Sequence, residues 1–174
     1  KRATVEEWQN EGRGVYAVIN DGGDTDSEIT KCRAVFCEWD DRPKEWQIDA
    51  WKGLGLPEPT LQVDTGGKSI HNYWVFAEPI SVDDWKSLQT RLLDHADADR
   101  SLKNPSRVMR LPGTFHIDGD GNPGGLTSII HTSENYYTVR DIEKGLPSRK
   151  IHEKMIEAGR YSDYKTRTLD EVRE

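Results

Sequence analysis

The sequence predicts an α+β domain in which helices pack against a sheet. Two observations carry that expectation: β-rich segments recur between clear turn signals, and two helical patterns are interleaved with them. With 174 residues the chain is long enough to bury one substantial core. Only 34% of residues are hydrophobic and 32% are charged, yet six tryptophans and six tyrosines supply enough bulk to fold.

The elements follow in order. Residues 14–20, GVYAVIN, predict a strand that ends in the loop DGGDTDSE. Residues 33–41, RAVFCEWDD, predict a second strand terminating in acids. Pro43 in a first turn, with Trp46, Ile48, Trp51 and Leu54 as the apolar face, predicts a helix to Gly55. TLQVDT and SIHNYWVF are two further strands, joined by the hairpin signal Gly66-Gly67. Ser81 caps an amphipathic helix that buries Trp85, Leu88, Leu92 and Leu93. Residues 107–111 predict a short strand, HIDGDGNPGG a turn-rich loop, and LTSIIHT a last strand.

The expected division is a domain over residues 1–147 and a charged, helical tail or linker over 148–174. The chain opens at Lys1, not at a methionine, which reads as a fragment of something longer. No run approaches a membrane span, and no signal peptide is present, so no membrane partner is expected. Cys32 and Cys37 lie an odd number of residues apart on one strand, so they face opposite ways and cannot pair there. A reducing, intracellular (cytoplasmic) setting is expected. The formal charge of −7 implies that any hold on nucleic acid comes from local basic clusters, not from a basic surface.

Three clusters could carry chemistry. Glu38 and Asp40 share a face of the second strand, with Cα atoms roughly 7 Å apart. Two carboxylates so placed can converge on hard divalent ions of the kind phosphoryl transfer uses, although a solvated strand end looks the same. Ser69 and His71 share a face of their strand directly after Gly66-Gly67-Lys68, where hydroxyl, imidazole and turn N–H groups can all donate to phosphate oxygens. The third cluster is Asp97-Ala98-Asp99-Arg100, followed by Lys103 and the segment NPSRVMRLPG. Arg107 and Arg110 face opposite ways on an ideal strand, so one can meet a triphosphate or template phosphate while the other packs elsewhere.

Other motifs mislead. A phosphate-binding P-loop ending in Gly67-Lys68-Ser69 would need a glycine at Gln62 and a helix after it. A calcium loop starting at Asp118 would need glycine at Pro123 and glutamate at Ile129. The tryptophans read as core and helix-packing residues, Trp39 facing away from its acidic neighbours.

In this order the clusters resemble the archaeo-eukaryotic primase superfamily, especially the primase-polymerase branch of plasmid, phage and cyanobacterial replication proteins. Glu38-Trp39-Asp40 resembles its acid-x-acid strand, Ser69-Ile70-His71 its serine-x-histidine strand, and Asp99 its later single acid. VDTGGKSIHNYWVF and DRSLKNPSRVMRLPGTFH resemble the flanking segments, and the likeness runs from about Gly14 to Leu146. The resemblance implies a primase catalytic core with an RNA-recognition-motif-like, antiparallel or mixed sheet. It implies two divalent ions, Mg²⁺ or Mn²⁺, on Glu38, Asp40 and Asp99. His71 joins those acids in the catalytic set. Ser69 and His71 would hold the nucleotide's phosphates, with Arg110 or Arg107, Lys68 and His116 assisting.

Two departures accompany it. Glutamate stands at position 38 where many relatives have aspartate, and Asp97 competes with Asp99 for the third acid. The expected activity is template-dependent nucleotidyl transfer from nucleoside triphosphates on single-stranded DNA, with a helicase or DNA-binding region elsewhere in the full-length protein. A non-catalytic replication-initiator module and a metal-dependent nuclease are the alternatives.

Overall fold

The computed structural model describes residues 2–161. Its centre is a four-stranded antiparallel sheet in the order β2-β4-β3-β8, formed by Cys32–Cys37, Ile70–Ile80, Leu61–Asp64 and Ser128–Thr132. The β3–β4 hairpin turns through Gly66, whose φ of 71° suits glycine. A side chain there would also collide with the Gly125 carbonyl oxygen, so the turn lies directly against another strand.

Helix α3, Val82–Ala96, begins where expected: the Ser81 hydroxyl accepts from the Asp84 N–H. It lies over β2 and buries Trp85, Leu88, Leu92 and Leu93. Its polar contacts are as specific as its apolar ones. The buried Gln89 amide accepts from the Phe36 N–H at 3.1 Å and donates to the Phe36 carbonyl at 2.8 Å, in the manner of a neighbouring strand. The indole of Trp85 donates to Ala34 O at 2.6 Å. The outer edge of β2 is thereby covered, with the Phe36 N–H and carbonyl and the Ala34 carbonyl satisfied.

Helix α2, Lys44–Gly53, follows Pro43 and buries only part of the face the sequence suggested: Trp51 and Leu54 pack against the core. Trp46 and Ile48 are 43% and 38% exposed, whereas Gln47 and Ala50 are buried. A two-stranded ribbon pairs β1, Tyr16–Val18, with β5, Val108–Arg110. The expected loop after Thr114 is instead a hairpin of β6, Phe115–Ile117, and β7, Pro123–Leu126, closed by the turn through Asp118 and Asn122.

Two helices went unread in the sequence, α1 at Arg2–Asn10 and α4 at Val139–Glu143 with a Thr138–Asp141 capping box, while α5 at Arg149–Glu157 lies in the segment expected to be helical. The tail beyond residue 161 falls outside the described residues. Cys32 and Cys37 are both buried free thiols.

Candidate active site

Strand β2 stops at Cys37, opposite Asn72, so Glu38 and Asp40 stand just past its end, not on it as expected. Two anchors fix this segment to the end of α3. The Trp39 indole, 2% exposed, donates to Ala96 O at 2.9 Å, and the Asp99 N–H donates to Glu38 O at 3.0 Å. Trp39 is a core residue, as expected, its ring centre 5.2 Å from that of Trp46.

The acids' partners come from the adjacent strand. The Ser69 hydroxyl donates to Asp40 Oδ1 at 2.6 Å, and His71 Nε2 lies 3.1 Å from Glu38 Oε2. On its other side, His71 Nδ1 is 3.1 Å from the buried Tyr73 hydroxyl. A neutral ring with its proton on Nε2 satisfies both contacts at once: it donates to the carboxylate and accepts from the phenol. Burial alone would raise the Glu38 carboxyl, but the His71 and Ser69 hydrogen bonds and the nearby Arg107 charge outweigh it. They hold Glu38 below its ordinary value.

Gln47 explains how the serine strand meets the acids. Its fully buried amide donates to the carbonyls of Arg42 at 2.7 Å and Lys68 at 3.2 Å, and accepts from the Ile70 N–H at 2.7 Å. The segment after Asp40 and the segment before His71 are thus joined through one side chain. Sequence reading missed it; the only signal was a polar residue flanked by the tryptophans of a helix.

The third cluster meets the first from the α3 side. Asp99 caps a 3-10 turn, Arg100–Lys103, by accepting from the Ser101 N–H at 2.9 Å and hydroxyl at 2.6 Å. Arg107 donates to that hydroxyl oxygen at 2.6 Å. Asp97, the rival acid, is the left-handed C-cap of α3, is exposed, and pairs with Arg100.

The remaining sequence candidates form a separate group around the hairpin turn. The Arg110 guanidinium lies 5.1 Å from the Tyr16 ring centre. Gly67 admits the His116 ring, since a Cβ there would sit 2.7 Å from it. His116 Nδ1 is buried with no hydrogen-bond partner, and burial together with the Arg110 charge lowers the ring's pKa. Lys68 is exposed at the turn. The two arginines therefore divide, Arg107 with the acids and Arg110 with His116.

The donor set suits a hard divalent cation in kind, being carboxylates with no thiol among them. Among the described residues, however, no three acidic, histidine or cysteine side chains are gathered as a metal-holding group. Glu38 and Asp40 hydrogen-bond to His71 and Ser69, and Asp99 to Ser101.

No family model and no curated protein matches the chain. Among solved structures, it is similar to the AEP domain of the primase-polymerase of cyanophage S-2L. The identity is 44% and the TM-score 0.78, over 84% of this chain and 77% of that one. It shares its fold with the primase RepB′ at 17% identity and a TM-score of 0.61, over 95% of this chain and 55% of that one. A second structure, the RepB′ catalytic domain in complex with initiator DNA, matches at 16% identity and a TM-score of 0.60, over 91% and 75% of the chains.

The fold and its similarities define a nucleotidyltransferase of the DNA primase and polymerase class. The chain belongs to the archaeo-eukaryotic primase superfamily, in its primase-polymerase branch. Among the described residues no helix is long and apolar enough to cross a membrane.

Proposed function

We propose that this domain extends nucleic-acid chains on a single-stranded DNA template, in replication, with Glu38, Asp40 and Asp99 as its metal-binding acids. Primase-polymerases of this superfamily are generally dependent on divalent metal. The observation that supports the assignment is the hydrogen-bonded meeting of Glu38 and Asp40 with Ser69 and His71 across β2 and β4.

When bound, two Mg²⁺ or Mn²⁺ ions would lower the pKa of the attacking 3′-hydroxyl and neutralise charge on the triphosphate and the departing pyrophosphate. The chain's own residues supply position and local charge. Ser69 and His71 are hydrogen-bond donors that now face carboxylates and can equally face phosphate oxygens. Tyr73 keeps the His71 N–H aimed at that site. Arg107, drawn to the acids through Ser101, offers a fork for a triphosphate. Lys68, Arg110 and His116 form a second basic group around the Gly66-Gly67 turn, suited to a phosphate further along the nucleotide or template. The unpartnered His116 Nδ1 supports this role. With a net charge of −7, the firm hold on template is expected to come from a helicase or DNA-binding region acting with this domain.

A labelled single strand, annealed to a template or left free, tests the reading. With nucleotides and Mg²⁺ or Mn²⁺, lengthening of the strand supports synthesis, and Glu38→Ala should abolish it. Shortening would make the domain a nuclease, and binding without any change of length an initiator module.

A further inference from the structure

One buried ionic cluster lies behind the site described above. Asp94, in the last turn of α3, has a side chain with 0% exposure, and both of its oxygens are engaged. Oδ1 accepts from Arg100 Nε at 3.0 Å, and Oδ2 from His152 Nε2 at 2.7 Å. A second Arg100 nitrogen donates to Asp97 at 3.1 Å. The Tyr161 ring lies 5.4 Å from the His152 ring and 5.9 Å from the Arg100 guanidinium, closing over the pair.

A carboxylate removed from water is tolerated only where its oxygens are fully partnered. Here one partner is the residue next to Asp99. The other comes from α5, beyond the boundary the sequence suggested at residue 147. The loop through Asp99 is therefore held on two sides. Its backbone N–H is bonded to Glu38 O, and the neighbouring Arg100 side chain is bonded to Asp94.

We propose that His152 and Arg100 are positioning residues: through Asp94 they fix the loop that presents Asp99 beside Glu38, which makes α5 a working part of the catalytic unit. The inference rests on reading Asp99 as a metal-binding acid. Loss of His152 removes the 2.7 Å hydrogen bond to Asp94 Oδ2 and opens the cluster to water. The Asp94 side chain, and the Arg100 paired with it, are then less narrowly fixed, and Asp99 is presented to cation over a wider range of positions. The surroundings of a metal ligand influence affinity because they set its orientation, and Arg100 acts on Asp99 as its neighbour in the chain.

The test is Mn²⁺ binding to the whole chain by calorimetry, with the Mn²⁺ concentration that half-saturates primer extension as a second readout. Asp99→Ala, His152→Ala, His152→Gln and Glu143→Gln are compared with the unaltered protein. Glu143→Gln is the structural control, because it breaks the ion pair between Glu143 and Arg91, one turn earlier on α3. The expected result is Mn²⁺ affinity weakened about tenfold in His152→Ala. His152→Gln, whose amide can still donate to Asp94, should recover most of it, and Glu143→Gln should bind as the unaltered protein does. If His152→Ala does not fold, Arg100→Lys takes its place and should weaken Mn²⁺ binding in the same direction.

Normal Mn²⁺ binding by a folded His152→Ala or Arg100→Lys protein, with Asp99→Ala impaired, overturns this inference alone. An equal loss in Glu143→Gln also overturns it, by showing a general loosening of the C-terminal segment. Normal binding by Asp99→Ala overturns the metal-site assignment and this inference with it.

Discussion

Replacing Gln47 by leucine isolates the device that joins the two halves of the site. The side chain is fully buried and makes three hydrogen bonds, to the carbonyls of Arg42 and Lys68 and from the Ile70 N–H. Leucine fills nearly the same volume but leaves all three backbone groups without that partner. An unsatisfied buried donor costs about 1–3 kcal/mol, and two half-exposed carbonyls that water can reach cost less. A total near 3 kcal/mol is therefore expected, equivalent to a fall in Tm of about 6–12 °C for a chain of this size.

Thermal melting followed by circular dichroism measures it directly. The same substitution frees the segment carrying Ser69, so the KM for nucleotide should rise more than kcat falls. A Tm within 2 °C of the unaltered protein, or a fall in kcat at constant KM, would refute the reasoning.

Three further outcomes follow from the geometry. Tyr73→Phe removes the hydroxyl 3.1 Å from His71 Nδ1 and frees the ring's tautomer; nucleotide KM should rise about tenfold, and an unchanged KM would contradict the relay. Glu38 is held below its ordinary value of 4.5, so its carboxylate contributes stability above that pH and loses it as pH falls through the folded-state value. Metal-free melts from pH 6 to 3 should show the unaltered protein losing more Tm than Glu38→Gln, whereas parallel curves would exclude the effect. Gly66→Ala places a methyl group against the Gly125 carbonyl in a left-handed turn and should destabilise by about 2 kcal/mol or more, read by urea unfolding.

The sheet and its long helix were legible because their signals are local and redundant. Alternating β-formers around Gly66-Gly67 specify a hairpin, and Ser81 with Trp85, Leu88 and Leu92 specifies a capped helix with one apolar stripe. The acids, the serine-x-histidine pair and Arg107 were legible as residue types, and the family resemblance supplied their order.

What escaped the sequence depends on tertiary contacts. Pro123-Gly124-Gly125 has no β-former, yet it makes a strand because Gly66 and His116 pack against its bare backbone. The buried face of α2 was misjudged at Trp46 and Ile48, because the apolar spacing outweighed Gln47, whose burial follows from the backbone groups it satisfies. Five residues of α4 are too few to show a helical period. The link from Asp94 to His152 spans 58 residues, so no spacing rule could reveal it.

The central claim is that Glu38 and Asp40, meeting Ser69 and His71, form the centre of nucleotide transfer. The most direct test gives the protein a primed single-stranded template with all nucleotides and either Mg²⁺ or Mn²⁺, beside a folded Asp40→Ala variant. The account predicts metal-dependent products from the unaltered protein and a fall of at least about a hundredfold in the variant. Near-normal synthesis by Asp40→Ala would contradict it.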